Sequence, residues 1–549
     1  VLYISPLKAL NNDIQRNLPR PLQDLAQIFA DADIPFPDIK VSTRSGDTDA
    51  GDRRRMLRHP PEILITTPES LNLLLSSKGG RGLLHGIDTL ILDEIHAVVG
   101  SKRGAYLASA VERLVPLSGE FQRIALSATI KPLDGVADFV GAYRLDTNRK
   151  DYLVDPQYQK RKVTVIESKQ HKDYQVTVRY PEEAAERMKD EKIWDSLCED
   201  FNAKIATNRS TLLFTNSRVL CEKLTYKINT AANATIAYAH HGSLSREIRD
   251  DVEEKLKSGD LAAIVATSSL EMGIDIGALD EVVLIQCPTS ISSAIQRIGR
   301  AGHQVGEVSR STIYPTHPQD FLEAAVLADA IVKREIEPVT ATLCPLDVLS
   351  QIIISMVGVE KWEIDDLYVH LRASYTYHHL GRDQFDLVIN MLAGRYAESR
   401  IRELKPKVSI DRLDNTIEAR QGALLALYLS GGVIPDRGYF QLRHQESNSR
   451  IGELDEEFVW EARLGQVFTL GTQFWQITNI THNDVFVQPG RPTTSAPPFW
   501  KAEQLNRDFC FSERIAEFLE EVNSHLDDDS LPQQMAQRYK MELIAAQNL

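Results

Sequence analysis

The stretch Thr89-Leu90-Ile91-Leu92-Asp93-Glu94-Ile95-His96 decides how the chain is organised. Its first half is a short apolar run with β-branched residues, which reads as a buried strand. The polar residues follow at once, and Ala97-Val98-Val99-Gly100 turns the chain. Two adjacent carboxylates at the end of a buried strand are costly unless a metal or a partner neutralises them. Parallel strands of α/β sheets present their carboxyl ends to ligands. There Asp93 can hold a magnesium ion through water, and Glu94 can orient the water that attacks a phosphate. Taken alone, the same residues also fit a polar strand end that caps the next helix.

Outward from this stretch the pattern of strand, polar turn and helix start recurs. Residues 1–4 lead into Ser5-Pro6-Leu7-Lys8, residues 63–66 into Thr67-Pro68-Glu69-Ser70, and residues 123–126 into Ser127-Ala128-Thr129. Strands alternating with helices imply a parallel sheet with helices on both faces, its polar clusters gathered on one rim. A second α/β unit follows. Its strands, at 210–214, 235–239, 262–265 and 281–285, end in Thr215-Asn216-Ser217, His240-His241-Gly242-Ser243, Ala266-Thr267-Ser268 and Gln286-Cys287-Pro288. Between the two units, basic residues and possible strands at 163–166 and 174–180 read as an exposed connector.

Beyond Pro338, residues 345–357, 365–372 and 382–391 read as amphipathic helices and 407–419 as a hairpin, the outline of a winged helix; one more helix is expected at 421–430. Short strands at 458–460, 467–470, 475–480 and 485–488, separated by Gly/Pro turns, suggest a small β-barrel, and 509–522 is helical. The expected division is a first lobe at 1–145, a connector at 146–195, a second lobe at 196–338, a winged helix at 339–435, a barrel at 436–505 and a helical tail at 506–549.

A length of 549 residues allows this many domains, and 43% hydrophobic residues can build their cores. Five scattered cysteines form no CxxC pair, which suggests neither a disulfide framework nor a zinc site and fits a reducing cytosol. No apolar run reaches the roughly 18 residues of a membrane span, and no segment of these residues reads as a signal peptide. The chain opens at Val1 inside a strand-like run, which suggests a fragment lacking its upstream part. A net charge of −15 counts against a nucleic-acid binder, although a groove can be locally basic on an acidic body. The pairs His240-His241 and His378-His379 lack ligand partners at metal-binding spacing and do not suggest a metal.

The strings SPLKAL, TPES, DEIH, SAT, FTNSR, HHGS, ATSSLEMGID and QRIGRAGH occur in this order, each at or just beyond a strand end. Together they resemble the paired RecA-like lobes of superfamily 2 DEAD/DEAH-box helicases. DEIH running into AVVGSKRGAYLA, GRAGH with His303, and the winged helix and barrel with GELDEEFVWE and PFWK are similar to the large helicase-related (Lhr) group. The resemblance implies an ATP- and Mg2+-dependent helicase or translocase. It also implies a monomer tracking single-stranded nucleic acid, 3′ to 5′ on DNA or an RNA:DNA hybrid, in DNA repair. An RNA helicase, or a binding scaffold without ATPase activity, is the alternative.

By the same resemblance, nucleotide binds between the lobes. Asp93 and Glu94 face it, Arg300 acts as an arginine finger, and Gln296 helps place phosphate or water. Gly273 and Asp275 touch the nucleotide on closure. His303 stands where relatives often carry Arg, so a second finger is in doubt. His96, Ser127 and Thr129 couple nucleotide to the strand, unless His96 is a helix-capping imidazole. The strand is expected on the opposite rim of both lobes. Pro6, Lys8, Thr67 and Glu69 would meet it in the first lobe, and Thr215, Asn216, Ser217, His241, Ser243 and Thr267 in the second, holding phosphates without reading bases. Trp500 either stacks on an unpaired base or fills the barrel core; Trp475, in an alternating strand, reads as core. The resemblance also requires a phosphate cradle, GxxxxGK[ST], and no Gly-Lys dipeptide occurs in these residues. A chain without that cradle is expected to bind ATP poorly and to hydrolyse none.

Overall fold

The computed structural model describes residues 1–128, 130–168, 172–185, 193–272, 279–302, 307–395, 405–430, 432–433, 439–455, 458–459, 462–470, 473–481, 484–491 and 507–549. They form two compact units, each assembled from two separated stretches. Residues 1–167 join 338–435 in the first, and residues 168–337 join 436–549 in the second.

In the first unit, β1 (Leu2–Ile4), β2 (Val41–Arg44), β3 (Ile63–Thr66), β4 (Thr89–Leu92) and β5 (Gln122–Ala125) form a sheet in the order β2-β3-β1-β4-β5. Every pairing is parallel. Leu2, Ile4, Leu64, Leu90 and Leu92 are buried with Leu71 and Leu74 of the helix Pro68–Leu75 and Leu107 and Val111 of the helix Lys102–Ser118. Each such side chain stabilises the fold by about 1.5–3 kcal/mol. β2 is not evident in the sequence because its residues Val-Ser-Thr-Arg contain no apolar run; pairing with β3 makes it a strand.

The connector differs from expectation. Residues 163–166 are not a strand, and Ile166 is 90% exposed. Instead β6 (Tyr143–Leu145) pairs antiparallel with β7 (Tyr158–Lys160). The segment after β7 is pinned by buried charge: Glu112 meets Arg123 at 2.6 Å and Arg161 at 3.1 Å, and Arg161 also meets Glu120 at 2.9 Å. Burial pushes the Glu112 carboxyl up, against the pull of the two guanidinium groups.

The second sheet holds β8 (Tyr174–Val178), β9 (Thr211–Thr215), β10 (Ala237–His240), β11 (Ala263–Ala266), β12 (Glu281–Ile285) and β13 (Ser309–Tyr314) in the order β10-β11-β9-β12-β13-β8, all parallel. β9 and β11 are wholly buried, as near-continuous apolar strands covered on both faces are. β8, expected in the connector, is an edge strand of this sheet. Ser217, Ser245 and Ser290 cap the helices Arg218–Ala232, Arg246–Ser258 and Ile291–Ile298.

Residues 338–435 return to the first unit as a winged helix. The helices Leu346–Val357, Ile364–Leu371 and Arg382–Leu392 accompany β14 (Trp362–Glu363), β15 (Val408–Asp411) and β16 (Thr416–Ala419), ordered β14-β16-β15 and antiparallel. Tyr106 of the first lobe shares its core, Ser76 Oγ lies 2.6 Å from Ser355 Oγ, and the Tyr143 ring stacks on His378 at 3.5 Å.

In the second unit, β17 (Tyr439–His444), β18 (Arg450–Asp455), β19 (Val467–Leu470), β20 (Gln473–Ile480) and β21 (Asp484–Pro489) form a curved sheet in the order β18-β17-β21-β20-β19. No pairing of β18 with β19 closes it among the described residues. Trp475 is 7% exposed in its core, and so is Leu244 of the second lobe at 3%. The two parts are also joined through backbone: Ser245 N donates to Ile451 O at 2.7 Å and Glu453 N to Ser243 O at 2.8 Å. The tail helices Phe509–Asn523, Leu531–Arg538 and Leu543–Asn548 pack on the second lobe, where the Glu542 N–H donates to Val178 O at the β8 edge. No helix among the described residues is long and apolar enough to cross a membrane.

Two outcomes test this packing. Glu112→Ala leaves Arg123 buried without its counter-charge and Arg161 with Glu120 alone, and is expected to cost about 3–5 kcal/mol. Denaturant unfolding followed by fluorescence measures it, and a loss under about 1 kcal/mol would return the network to surface status. A Cβ at Gly452 would sit 2.1 Å from Ser243 O, whereas one at Gly242 meets nothing within 4 Å. Gly452→Ala should therefore lower the melting temperature and expose residues 439–489 to protease, and Gly242→Ala should do neither.

Candidate functional site

The carboxyl end of β4 is held tightly. Asp93 N donates to Ile4 O at 2.9 Å, which extends the parallel register by one residue. Asp93 Oδ1 accepts the Glu94 N–H at 2.9 Å, and Asp93 Oδ2 accepts the Tyr3 hydroxyl. Burial, then the hydrogen bond to Asp93, pushes the Tyr3 phenol far above its ordinary range, so it remains a donor. Tyr3 was not foreseen; an aromatic residue inside a strand reads as core until its neighbour strand is known.

Glu94 has φ +47° and ψ +44°, a left-handed backbone that costs a residue with a Cβ roughly 1–2 kcal/mol. That conformation turns its side chain toward His96. Glu94 Oε2 lies 3.4 Å from His96 Nδ1, and the same nitrogen lies 3.2 Å from Ser127 Oγ beyond β5. The Ile95 N–H donates to Leu126 O at 3.1 Å. DEIH and SAT are thus one hydrogen-bonded assembly, with His96 between the acid and the serine. Thr129 lies outside the described residues.

Ile4, Thr66 and Leu92 stand side by side in register, so Pro6, Lys8, Thr67 and Glu69 follow strands on the same edge as Asp93. The expectation of an opposite rim is corrected: parallel strands have a single carboxyl edge. Several of these groups are already engaged. Thr67 Oγ1 caps the helix Pro68–Leu75, Glu69 pairs with Arg103 at 2.7 Å, and Arg103 also donates to Pro6 O at 2.8 Å. Lys8 opens the helix Lys8–Asn17. Exposed cations also occur at Arg54, Arg55 and Arg58 on the helix Ala50–Arg58 that follows β2.

In the second lobe the strand-end polar residues are mostly inward. Thr215, His241 and Ser243 are each 0% exposed. Thr215 Oγ1 donates to Ser217 O at 3.1 Å, His241 Nε2 meets Glu222 Oε1 at 2.8 Å, and Ser243 Oγ accepts from Arg218 at 2.7 Å. These three side chains bind the loops to the lobe, and none is exposed at the surface where the sequence reading expected a nucleic-acid strand. Thr267 is 9% exposed, and its N–H donates to His240 O. Asn216 Nδ2 donates to Cys287 O, and the Ser217 hydroxyl caps its helix. His240 and His241 each meet a carboxylate, Glu253 and Glu222, that sequence spacing did not reveal.

Arg297, unremarked in the sequence beside Gln296, is 6% exposed. Its guanidinium donates to Glu271 at 3.1 Å and Asn216 at 3.0 Å and lies over the Phe214 ring. It therefore ties FTNSR, ATSSLE and QRIGR into one body. Arg300 follows two residues after the helix Ile291–Ile298, and the preceding carbonyl, Gly299 O, accepts from Lys172 Nζ at 2.8 Å. Burial first, and Arg300 nearby, pull the Lys172 pKa down, which marks a concentration of positive charge there. Gln296 is half-buried on the same helix. Gly273, Asp275, His303 and Trp500 lie outside the described residues.

Comparison with known proteins agrees with this geometry. Residues 1–136 match the DEAD/DEAH box helicase model, 190–304 the helicase conserved C-terminal domain, and 329–496 the large helicase-related protein winged helix domain. The chain is 37% identical to a Mycolicibacterium smegmatis Lhr helicase/probable uracil glycosylase over 95% of its own length and 36% of the relative's. It is 35% identical to a Thermococcus barophilus ATP-dependent helicase Lhr-Core protein 2 over 100% of its length and 62% of the relative's. It thus spans between about a third and two thirds of these relatives. A structure of Mycobacterium smegmatis helicase Lhr bound to ssDNA and AMP-PNP superposes on all of it with a TM-score of 0.78 at 35% identity, covering 65% of that chain. The DUF1998 helicase MrfA bound to DNA and AMPPNP shares the fold at 17% identity, over 89% of this chain and 63% of its own, with a TM-score of 0.59. With its two parallel-sheet lobes, winged helix and curved sheet, the chain belongs to the large helicase-related (Lhr) family of DEAD/DEAH-box helicases.

Proposed function

We propose that this chain is the motor portion of an ATP-dependent helicase that moves along single-stranded nucleic acid. The observation that carries the reading is the Glu94–His96–Ser127 chain at the carboxyl edge of the first sheet. It gives a water-orienting carboxylate a fixed route to the next strand's loop, which a polar strand end serving only as a cap does not need.

The donor set fits a magnesium ion. Asp93 offers hard carboxylate oxygens, each taking one hydrogen bond and keeping a lone pair for metal-bound water. Bound Mg2+-ATP would supply the phosphoryl group and part of its charge neutralisation. Glu94 then orients the attacking water, and its strained backbone aims the carboxylate. Arg300, supported through Gly299 by Lys172, stabilises charge on the transferring group, and Gln296 helps position it. Gly273 and Asp275 join on closure. Arg297 makes these loops move as a body, so a nucleotide change at one is felt at the others.

For the strand, the proposal keeps Pro6, Lys8, Asn216, Ser217 and Thr267, and adds the exposed cations of the helix Ala50–Arg58. These ease the objection raised by the net charge, because phosphate contacts need local basic groups. Single-stranded DNA is the preferred track, supported by the ssDNA in the Mycobacterium smegmatis Lhr structure. The 3′-to-5′ polarity, an RNA:DNA hybrid substrate, a role in DNA repair, monomeric action and stacking by Trp500 belong to the same proposal.

In the whole protein, Glu94→Gln should abolish turnover while ATP still binds; turnover within about threefold of wild type would sink the role of Glu94. Arg300→Ala should lower turnover by roughly 10³-fold with strand binding kept. Collapse of binding with surviving turnover would instead make Arg300 a phosphate contact. ATPase stimulation by single-stranded DNA and by RNA, measured side by side, decides the track. Removing the Arg54, Arg55 and Arg58 charges together should reduce the salt dependence of binding, whose log–log slope is about −0.7 per neutralised phosphate.

A further inference from the structure

The first unit contains a cleft of about 280 Å3 between the helix Lys102–Ser118, β6 and the winged helix. Nothing in the proposed motor uses it. Leu75, Val115, Pro116, Leu145, Met356 and Val359 make much of its wall apolar. Most charges facing it are matched. Arg81 meets Glu360 at 2.8 Å, and Arg161 meets Glu112 and Glu120 at 3.1 and 2.9 Å.

Arg113 is the exception. Its guanidinium donates to Asn72 Oδ1 at 3.2 Å, Leu75 O at 3.4 Å and Ser355 Oγ at 2.6 Å, all neutral acceptors. Burial, with Arg81 adding to it, pulls its pKa down to about 10, so it remains a cation at neutral pH. On the winged-helix wall of the same cleft, Trp362 has a buried indole N–H with no acceptor among the described residues. Among the described residues, Arg113 is thus a half-buried cation without a counter-charge and the Trp362 N–H a buried donor without an acceptor, and both are costly. One anionic oxygen pair would answer both.

We propose that this cleft binds a small aromatic carboxylate. The carboxylate takes the Arg113 charge and the Trp362 N–H, and the flat apolar body lies against Val115, Leu145 and Val359. An apolar cavity of about 150 Å3 takes benzene, so this cleft suits one ring or a fused pair. Lobe, connector and winged helix all contribute wall residues, so occupancy holds the three together.

The test titrates the chain with benzoate, indole-3-carboxylate and 2-naphthoate, each beside its neutral carboxamide, by calorimetry and ligand-observed NMR. At least one acid should bind saturably with one-to-one stoichiometry, at least tenfold tighter than its amide, and should raise the melting temperature. Arg113→Met should remove the preference for the acid. Leu145→Trp, which fills the cleft, should remove binding of both. Trp362→Phe deletes only the N–H and should weaken the acid severalfold; it serves if Arg113→Met does not fold. Equal affinity for acid and amide, binding that survives Leu145→Trp, or no saturable binding of any acid at millimolar concentration would each overturn the proposal.

Discussion

A parallel strand has one carboxyl end, and a sheet made only of parallel strands therefore has one edge where its outgoing loops collect. Both sheets obey this constraint, and the rest of the molecule follows from it. β1, β3 and β4 end in register, so DEIH, SAT and the loops after Ile4 and Thr66 meet without long excursions. β9, β10 and β11 do the same in the second lobe. Once loops are crowded on one edge, their polar side chains find one another before they find a ligand. His96 joins Glu94 to Ser127, and Arg297 joins Glu271 to Asn216. Such contacts are the means by which one loop can report to the next.

That crowding also explains what the sequence could and could not convey. Strands such as β4, β9 and β12 are legible because their apolar residues are consecutive and their ends are polar. β2 and β13 are not, since Val-Ser-Thr-Arg and Ser-Arg-Ser-Thr-Ile-Tyr become strands only through their neighbours' registers. The winged helix is legible as helices followed by a hairpin. The strings of the site are legible by order and position. Accessibility is not: Thr215, His241 and Ser243 have suitable side chains for a phosphate and are fully buried. Tyr3, Glu222 and Arg297 had no local signal, because each acquires its role from a partner distant in sequence.

The second lobe and the curved sheet meet through main chain as well as side chain. The backbone bonds between residues 243–245 and 451–453 leave room for a hydrogen but not for a methyl group at Gly452. Leu244 enters the core of the curved sheet beside Phe468 and Leu470. Interfaces built this way are short-range and directional, and they transmit a displacement of the loop instead of absorbing it. The matching junction of the first lobe also combines side chains, through Tyr106, Arg113 and Ser355, with backbone, where Tyr143 N donates to Ala373 O at 3.1 Å, and it encloses a cleft.

The two-stretch construction of each unit has a consequence for synthesis. A nascent first lobe, synthesised as far as residue 167, lacks the winged helix that covers Tyr106 and Ser76 until residues 338–435 have emerged. The whole second lobe is made in between. At the usual translation rates of about 5–20 residues per second, that leaves the apolar flank of the first lobe uncovered for roughly 13–54 s. During this interval the growing polypeptide carries an uncovered apolar flank, and slower elongation prolongs it, an exposure that a molecule with its units in simple succession would not have.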